Sequence, residues 1–231
     1  MRPSVWRRLV AEFTGTGLLV AIVVGSGIAA TNLTSDAGLR LLINSLVTAM
    51  GLAVLILVFL PAGGAQFNPV VTVADWLLGR HYGIGQAAAV IACQISGAIG
   101  GAALADAMFG QAVLSPSRTH RAGTPLLLSE VVATAGLLLV IVTLARTGRT
   151  QHVPWAVGAW IGAAYWFTAS TSFANPAVTI GRTLTDTYAG IAPSSVAPFI
   201  AAQIIGGALG TLLAVVVHPV GRVSGEAQLV G

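Results

Sequence analysis

Two Asn-Pro pairs are the part of this sequence whose residue types could act on a solute. They are Asn68-Pro69 in FNPVVT and Asn175-Pro176 in ANPAVT. Asparagine favours the N-cap of a helix, and proline favours the first helical position, so each pair predicts a helix start. Two helix N-termini that face one point create a positive potential there, and the asparagine amides offer N–H donors. Such a point repels protons and cations and suits neutral hydroxylic solutes.

The remaining polar residues give little support to catalysis. Within the long apolar stretches the acidic residues are Glu12, Asp106 and Glu130, and no nucleophile motif accompanies them. The four histidines have no metal-ligand spacing, and the single cysteine, Cys93, cannot form an internal disulfide. We therefore predict no enzyme activity, no metal site and no cofactor.

The elements that carry the Asn-Pro pairs are predicted to lie in a membrane. The chain of 231 residues is 55% hydrophobic and only 8% charged, with a mean hydropathy of +0.87. A soluble domain has about 25% charged residues, so a bilayer is the solvent that this composition fits. The eleven arginines are scattered along the chain, which argues against nucleic-acid binding. Six apolar runs are long enough to span, at about 10–30, 41–60, 84–105, 126–144, 153–173 and 191–217.

The two halves of the chain resemble each other. AEFTGTGLLV at 11–20 matches SEVVATAGLL at 129–138, and ACQISGAIGGAALA at 92–105 matches AAQIIGGALGTLLA at 201–214. Each half holds three apolar runs, an odd number, so the second half must enter the membrane from the opposite side. This predicts a single domain built from an inverted repeat, with repeat one at about 5–115 and repeat two at about 122–220. The pairs Gly97/Gly101 and Gly206/Gly210 predict close helix packing.

The stretch after each Asn-Pro pair is too short to span. PVVTVADWLLG at 69–79 crosses only about half a bilayer at ~1.5 Å per residue. We interpret both stretches as re-entrant half-helices that enter from opposite faces and meet at the centre.

These motifs identify the chain as similar to the aquaporin and glycerol-facilitator family, the major intrinsic proteins. The resemblance rests on AEF in the first run, GAQFNPVVT at 64–72, the glutamines Gln94 and Gln203, and ANPAVT. It implies an all-α membrane fold of six spanning helices plus two half-helices, a homotetramer with one pore per subunit, and a proton barrier at the pore centre. It also implies that Glu12 and Glu130 hold the re-entrant loops through hydrogen bonds.

The chain departs from the family at the outer constriction, where Val178 replaces the usual arginine. Spacing from Asn175 assigns Ala163 and Ser172 to the same ring, and either Thr48 or Met50 to the second helix. That ring has no arginine and no aromatic side chain. It predicts a wide filter that passes glycerol-like polyols, water, urea and neutral metalloid acids, as in the family branch associated with bacterial arsenic resistance.

Arg182, where the family usually has proline, has two interpretations. It snorkels or braces a loop, or it attracts anions at the outer vestibule. A second open question is the transport class, because secondary transporters also use inverted repeats.

The arginine distribution predicts a bacterial inner-membrane protein with both termini in the cytoplasm. In that orientation seven arginines are cytoplasmic and four are not: Arg2, Arg7, Arg8, Arg80, Arg146, Arg149 and Arg222, against Arg40, Arg118, Arg121 and Arg182.

Overall fold

A computed structural model describes residues 4–79 and 82–219, and this part of the chain is all-α. Arg2, Arg80 and Arg222, three of the arginines counted for orientation, lie outside the described residues. The α-helices are α1 Val5–Leu33, α2 Ala37–Gly63, α3 Pro69–Gly79, α4 Ile84–Met108, α5 Thr124–Arg146, α6 Val153–Phe167, α7 Pro176–Gly181 and α8 Val196–Val217. Short 3-10 turns occupy Thr150–His152, Arg182–Leu184 and Pro193–Ser195.

Five of these segments are long and apolar enough to cross a membrane. They are α1, α2, α4, α5 and the segment Pro193–Val217 that contains α8, with mean hydropathies between 1.7 and 2.5. The fifth apolar run, predicted as one span over 153–173, differs: α6 has 15 residues and ends at Phe167. The chain then turns, with positive φ at Thr171 and Ser172. An apolar composition predicts burial, but it does not fix where a helix ends.

The glycine spacing places helix backbones in direct contact, which confirms the predicted close packing. A Cβ built on Gly101 would lie 2.0 Å from the Gly17 carbonyl oxygen of α1, and one on Gly210 would lie 2.0 Å from the Ala135 carbonyl oxygen of α5. The two remaining glycines of the pairs make equally close approaches, Gly97 to Phe13 at 2.2 Å and Gly206 to Val131 at 2.3 Å. Helix α1 thus packs on α4 in the first half as α5 packs on α8 in the second.

An apolar core, several fully buried polar side chains and an apolar outer surface occur together in this chain. Carboxylates and amides such as Glu12, Gln94, Glu130 and Gln203 are fully buried. Large apolar side chains cover much of the outside, among them Trp6, Leu46, Val58, Leu128, Trp155, Ile204, Leu212 and Val216. Such a surface is stable against lipid tails and unstable against water.

Candidate functional site

The two Asn-Pro pairs lie against each other at the middle of the bundle. The Nδ2 atom of Asn68 donates to the carbonyl oxygen of Ala174 at 2.8 Å, and the Nδ2 atom of Asn175 donates to the carbonyl oxygen of Phe67 at 2.7 Å. The two bonds are reciprocal, so each loop is fastened to the other.

Each asparagine also caps the helix that follows it. Asn68 Oδ1 accepts from Val70 N at 3.0 Å, and Asn175 Oδ1 accepts from Ala177 N at 3.0 Å and Val178 N at 3.3 Å. An amide nitrogen carries two N–H donors, and each Nδ2 donates once within the described part of the chain. One N–H of each side chain is therefore available to a solute.

The loops that present the asparagines adopt a backbone conformation that L-residues rarely use. Ala65 and Phe67 have positive φ before α3, and Ser172 and Ala174 have positive φ before α7. Each such residue costs about 1–3 kcal/mol. Both loops carry this strain at matching positions, so matching interactions must offset it.

Two buried carboxylates supply that interaction. Glu12 accepts from the backbone N–H groups of Gln66 at 2.8 Å and Phe67 at 2.7 Å. Successive backbone N–H groups in this kind of turn form a concave anion site, and a carboxylate fills it with charge-assisted hydrogen bonds.

Glu130 makes the corresponding bonds in the second half, from Phe173 N at 2.9 Å and Ala174 N at 2.8 Å. Each loop is thus held in its strained form by a fully buried glutamate from a spanning helix.

A glutamine and a threonine complete each support. Gln94 Nε2 donates to Glu12 at 2.9 Å and to Thr72 Oγ1 at 2.9 Å. Gln203 Nε2 donates to Glu130 at 2.7 Å and to Thr179 Oγ1 at 2.9 Å. The matched glutamines of the sequence thus tie a long helix to a glutamate and to the short helix after each Asn-Pro pair.

A cavity of about 490 Å³ runs past the asparagines. Its wall is mostly aliphatic, with lining residues such as Leu52, Ile56, Leu137 and Val157. From Thr48 to Leu60 the wall follows α2 for about 18 Å of helix axis. Both asparagines line the cavity. Polar groups on an otherwise apolar wall orient a hydroxylic solute without holding it tightly.

Comparisons with known proteins show the family to which the chain belongs. The sequence model of the family described as "Major intrinsic protein" matches residues 1–172. The aquaglyceroporin AqpS of Rhizobium meliloti is 50% identical over 200 residues, which cover 87% of this chain and 85% of that protein. The chain belongs to the major intrinsic protein family. It is therefore a multi-pass membrane channel for small solutes and not an enzyme.

Two further comparisons support this membership in a more limited way. The propanediol uptake facilitator PduF of Citrobacter freundii is 32% identical over 123 residues, 52% of this chain and 44% of that protein. The X-ray structure of the aquaglyceroporin from Plasmodium falciparum superposes with a TM-score of 0.69, at 18% identity and over 94% of this chain and 98% of that one. That likeness shows the fold.

Among the five residues predicted for the channel filter, three line the cavity. Thr48, Ser172 and Val178 are buried lining residues. Met50 is 54% exposed, Ala163 is also exposed, and neither borders the cavity. The assignments of Met50 and Ala163 are wrong, because each lies two residues from a lining position and two residues rotate a helix by about 200°.

Sequence reasoning missed Tyr165, which occupies the position expected for Ala163. Tyr165 is buried in the cavity wall, and its hydroxyl donates to Thr48 Oγ1 at 3.3 Å, joining α6 to α2. Counting back from Asn175 gave the wrong position because the lining residue of α6 lies two residues nearer to Asn175 than the count assumed. A tyrosine inside an apolar run was the available signal, because its hydroxyl needs a partner.

Arg182 is a cavity residue and not an exposed vestibule residue. It is 3% exposed and lines the cavity. Its Nε donates to the Ala189 carbonyl oxygen, and its Cζ lies 3.5 Å from the centroid of the Phe173 ring. The side chain braces the loop as one interpretation expected, but it does not snorkel. The expected absence of an aromatic side chain does not hold, because Tyr165 lines the cavity where Ala163 does not; the arginine-free ring at Val178 stays a prediction, with Arg182 lining the same cavity.

The opposite end of the channel cavity carries a paired cluster of Arg8, Gln66, Asp75 and Tyr82. Gln66 Oε1 accepts from Arg8 Nη2 at 3.0 Å, and Gln66 Nε2 donates to Asp75 Oδ2 at 2.8 Å. The Tyr82 hydroxyl donates to Asp75 Oδ2 at 2.9 Å, and Arg8 Nη2 lies 3.6 Å from the same oxygen. Burial, and then the Asp75 carboxylate, raise the pKa of Tyr82, so its hydroxyl stays a donor. Nothing in the spacing of these residues along the sequence indicated this cluster.

Proposed function

We propose that this protein is a passive channel for small uncharged solutes: glycerol-like polyols, water, urea and metalloid acids such as arsenite. Six segments span the membrane in an inverted repeat, and α3 and α7 are the half-helices that enter from opposite faces. The observation that carries the proposal is the reciprocal pair of hydrogen bonds between the asparagines and the opposite loops. It leaves one N–H donor of each asparagine for a solute at the narrow middle of an apolar path.

The short helices account for ion exclusion. Each begins at a proline directly after an asparagine, so the positive ends of both helices concentrate at the junction. A cation or a proton carried along a water chain meets this potential. A neutral hydroxyl compound exchanges its water hydrogen bonds for the asparagine donors. Aquaporin-type pores in general are described with the same barrier.

The solute class follows from Val178 and from the relatives. Valine at this position leaves the guanidinium of Arg182 one turn further along the chain, where Phe173 and Ala189 hold it. This supports an aperture wider than that of a strict water pore. The names of two relatives, an aquaglyceroporin and a propanediol uptake facilitator, support solutes of polyol size.

Location and assembly complete the proposal. The chain lies in the inner membrane of a bacterium with both termini in the cytoplasm, which the bacterial relatives and the arginine distribution support. It forms a homotetramer, as the family resemblance implies, with one pore per subunit. The apolar outer surface supports burial against lipid or against neighbouring subunits.

Stopped-flow swelling of proteoliposomes tests the function. Purified protein should accelerate the entry of water, glycerol, urea and arsenite, without saturation and without dependence on sodium or proton gradients. Saturable flux that follows an ion gradient would instead establish the secondary transporter.

A substitution at Val178 tests the filter. Val178→Arg should slow glycerol and methylated arsenicals more than water, because it places a bulky donor in the aperture. Val178→Leu is the matched control, since it adds bulk without charge or donors. Equal glycerol rates in Val178→Arg and the wild type would remove Val178 from the filter.

A further inference from the structure

Two arginine side chains converge on one phenyl ring at the Arg182 end of the cavity. The Cζ atom of Arg182 lies 3.5 Å from the centroid of the Phe173 ring, and the Cζ atom of Arg121 lies 5.1 Å from it. Arg121 comes from the segment before α5, and Arg182 follows α7 directly. The loops therefore bring together two positive charges that are 61 residues apart in the sequence.

Neither guanidinium has a carboxylate partner among the described residues. The ion pairs there are Arg8 with Asp75 and Arg118 with Asp186. Arg121 donates only to backbone carbonyls, from Nε to Gly190 at 3.0 Å and from Nη2 to Tyr188 at 3.3 Å.

Among the described residues, two fully buried carboxylates lie on this side of the junction: the Phe173 and Ala174 amides and Gln203 use Glu130, Thr185 donates to Asp106, and neither carboxylate forms an ion pair with Arg121 or Arg182. A buried charge without a partner is costly. The site therefore attracts a counter-charge.

Donors without a protein partner remain at two residues that line the cavity. Within the described residues Arg182 uses only Nε in a hydrogen bond, so its two terminal nitrogens are free of protein partners. Ser172 Oγ is buried without a hydrogen-bond partner in the same part of the chain, and Ser172 also lines the cavity. It directly precedes Phe173, on whose ring Arg182 lies. The planar guanidinium of Arg182 matches the two oxygens of a small oxyanion, and the unpaired Ser172 hydroxyl is a further donor in the same cavity wall.

We propose that Arg182, with the Ser172 hydroxyl and with Arg121 as a supporting charge, forms a binding site for a small singly charged oxyanion of carboxylate size inside the channel. The proposed oxyanion site rests on the proposed function, because the site lies on the path of the neutral solutes. An oxyanion in the site occupies the cavity beside Val178 and slows neutral solutes. A spherical anion such as chloride binds more weakly, since it cannot accept two parallel N–H bonds.

Glycerol swelling of proteoliposomes at constant ionic strength, with sodium formate or acetate replaced stepwise by sodium chloride, tests the site. The rate without carboxylate tests the proposed channel function, and the dependence on carboxylate tests the site, so the two can fail separately. Formate and acetate should inhibit the wild type at lower concentrations than chloride. Arg182→Ala should raise the inhibitory concentration by at least about tenfold, the loss expected for a charge-assisted hydrogen bond.

Two variants separate the fork geometry from charge alone. Arg182→Lys should keep an inhibitory effect but lose the preference for carboxylate over chloride, because an ammonium group has no planar fork. Arg118→Ala removes one positive charge whose side chain is 89% exposed and should leave the inhibition unchanged.

Equal inhibition of Arg182→Ala and the wild type overturns the proposal, as does equal potency of chloride and formate. An equal shift in Arg118→Ala would mean that general surface charge, and not a site, produces the effect. If Arg182→Ala does not assemble, Ser172→Ala is the deciding variant: it should weaken carboxylate inhibition without changing chloride inhibition, and no change would overturn the site.

Discussion

The loop before α3 and the loop before α7 share their backbone but differ in their surroundings. In each, one buried glutamate binds two successive backbone amides, the second of which belongs to a residue of positive φ, and one glutamine ties that glutamate to a threonine of the short helix. Around the first loop Arg8 is paired with Asp75. Around the second loop, Arg121 and Arg182 both lie against the ring of Phe173. Among the described residues, neither arginine is paired with a carboxylate.

The difference between the two loops indicates which features are kept in both halves of the chain. The interactions that form the narrow junction must be satisfied in both halves, because unpaired polar groups at that depth are costly. The mouths are under no such constraint, so their charges can diverge. The Arg8–Asp75 pair near one loop and, near the other, the two arginines without a carboxylate partner in the described part of the chain give the two repeats different surroundings.

The strongest test of equivalence removes the buried glutamates. Glu12→Ala and Glu130→Ala each leave two backbone amides and one N–H of a glutamine without an acceptor. Each should lower the free energy of unfolding by about 4 kcal/mol or abolish folded protein. Thermal unfolding of the purified protein in detergent measures this loss. Glu12→Gln and Glu130→Gln are the milder controls, and a clear difference between the halves would show that the two loops are not equivalent.

A smaller loss is expected at the glycine contacts. Gly101→Ala and Gly210→Ala each place a methyl group 2.0 Å from a backbone oxygen, so the helices must separate. Each should cost about 1–3 kcal/mol of unfolding free energy. Gly100→Ala is the matched control, because nothing lies within 4 Å of its Cβ position. A loss in Gly100→Ala as large as in Gly101→Ala would assign the effect to the helix and not to the contact.

Alanine substitutions of Asn68 and Asn175 should destabilise the protein to slightly different extents. Asn175 caps two backbone amides and Asn68 caps one, although each makes one bond to the opposite loop. Each alanine variant should lose about 1–2 kcal/mol, with Asn175→Ala the more destabilised. The same variants should raise proton leak, measured with a pH dye in liposomes. A larger loss in Asn68→Ala would contradict this ranking.

The smallest effect concerns the exposed pair Arg118 and Asp186. The backbone N–H and the guanidinium of Arg118 hold the pKa of Asp186 below its ordinary value. When folding lowers the pKa of a carboxyl group, the group stabilises the folded protein at pH values above its unfolded-state pKa. This contribution disappears as the pH falls through the folded-state pKa. The thermal midpoints of the wild type and Asp186→Asn should therefore differ slightly at about pH 7 and converge as the pH falls through the folded-state pKa of Asp186. Solute permeability should not change, and a permeability change would connect this pair to the channel mouth.

The sequence predicted the features that repeat and missed those that depend on helix phase. The Asn-Pro pairs, the matched glutamates and the glycine spacing were visible because each appears twice. Met50 and Ala163 were misassigned because an error of two residues turns a side chain to the other face of a helix. The end of α6 and the contact between Arg182 and Phe173 depend on irregular backbone that no periodic pattern records. The Arg8–Asp75 cluster joins three separate segments and leaves no local signature.

The crossed bonds at the junction also bear on the order in which the channel is made. The amide of Asn68 and the carbonyl of Phe67 find their partners 106 and 108 residues away. While the ribosome has delivered only the first half, these groups have neither partner. The crossed bonds can form only after the second loop has been synthesised. We therefore expect the two loops to dock late, and a truncated first half to be degraded more rapidly than the whole chain in a pulse-chase experiment.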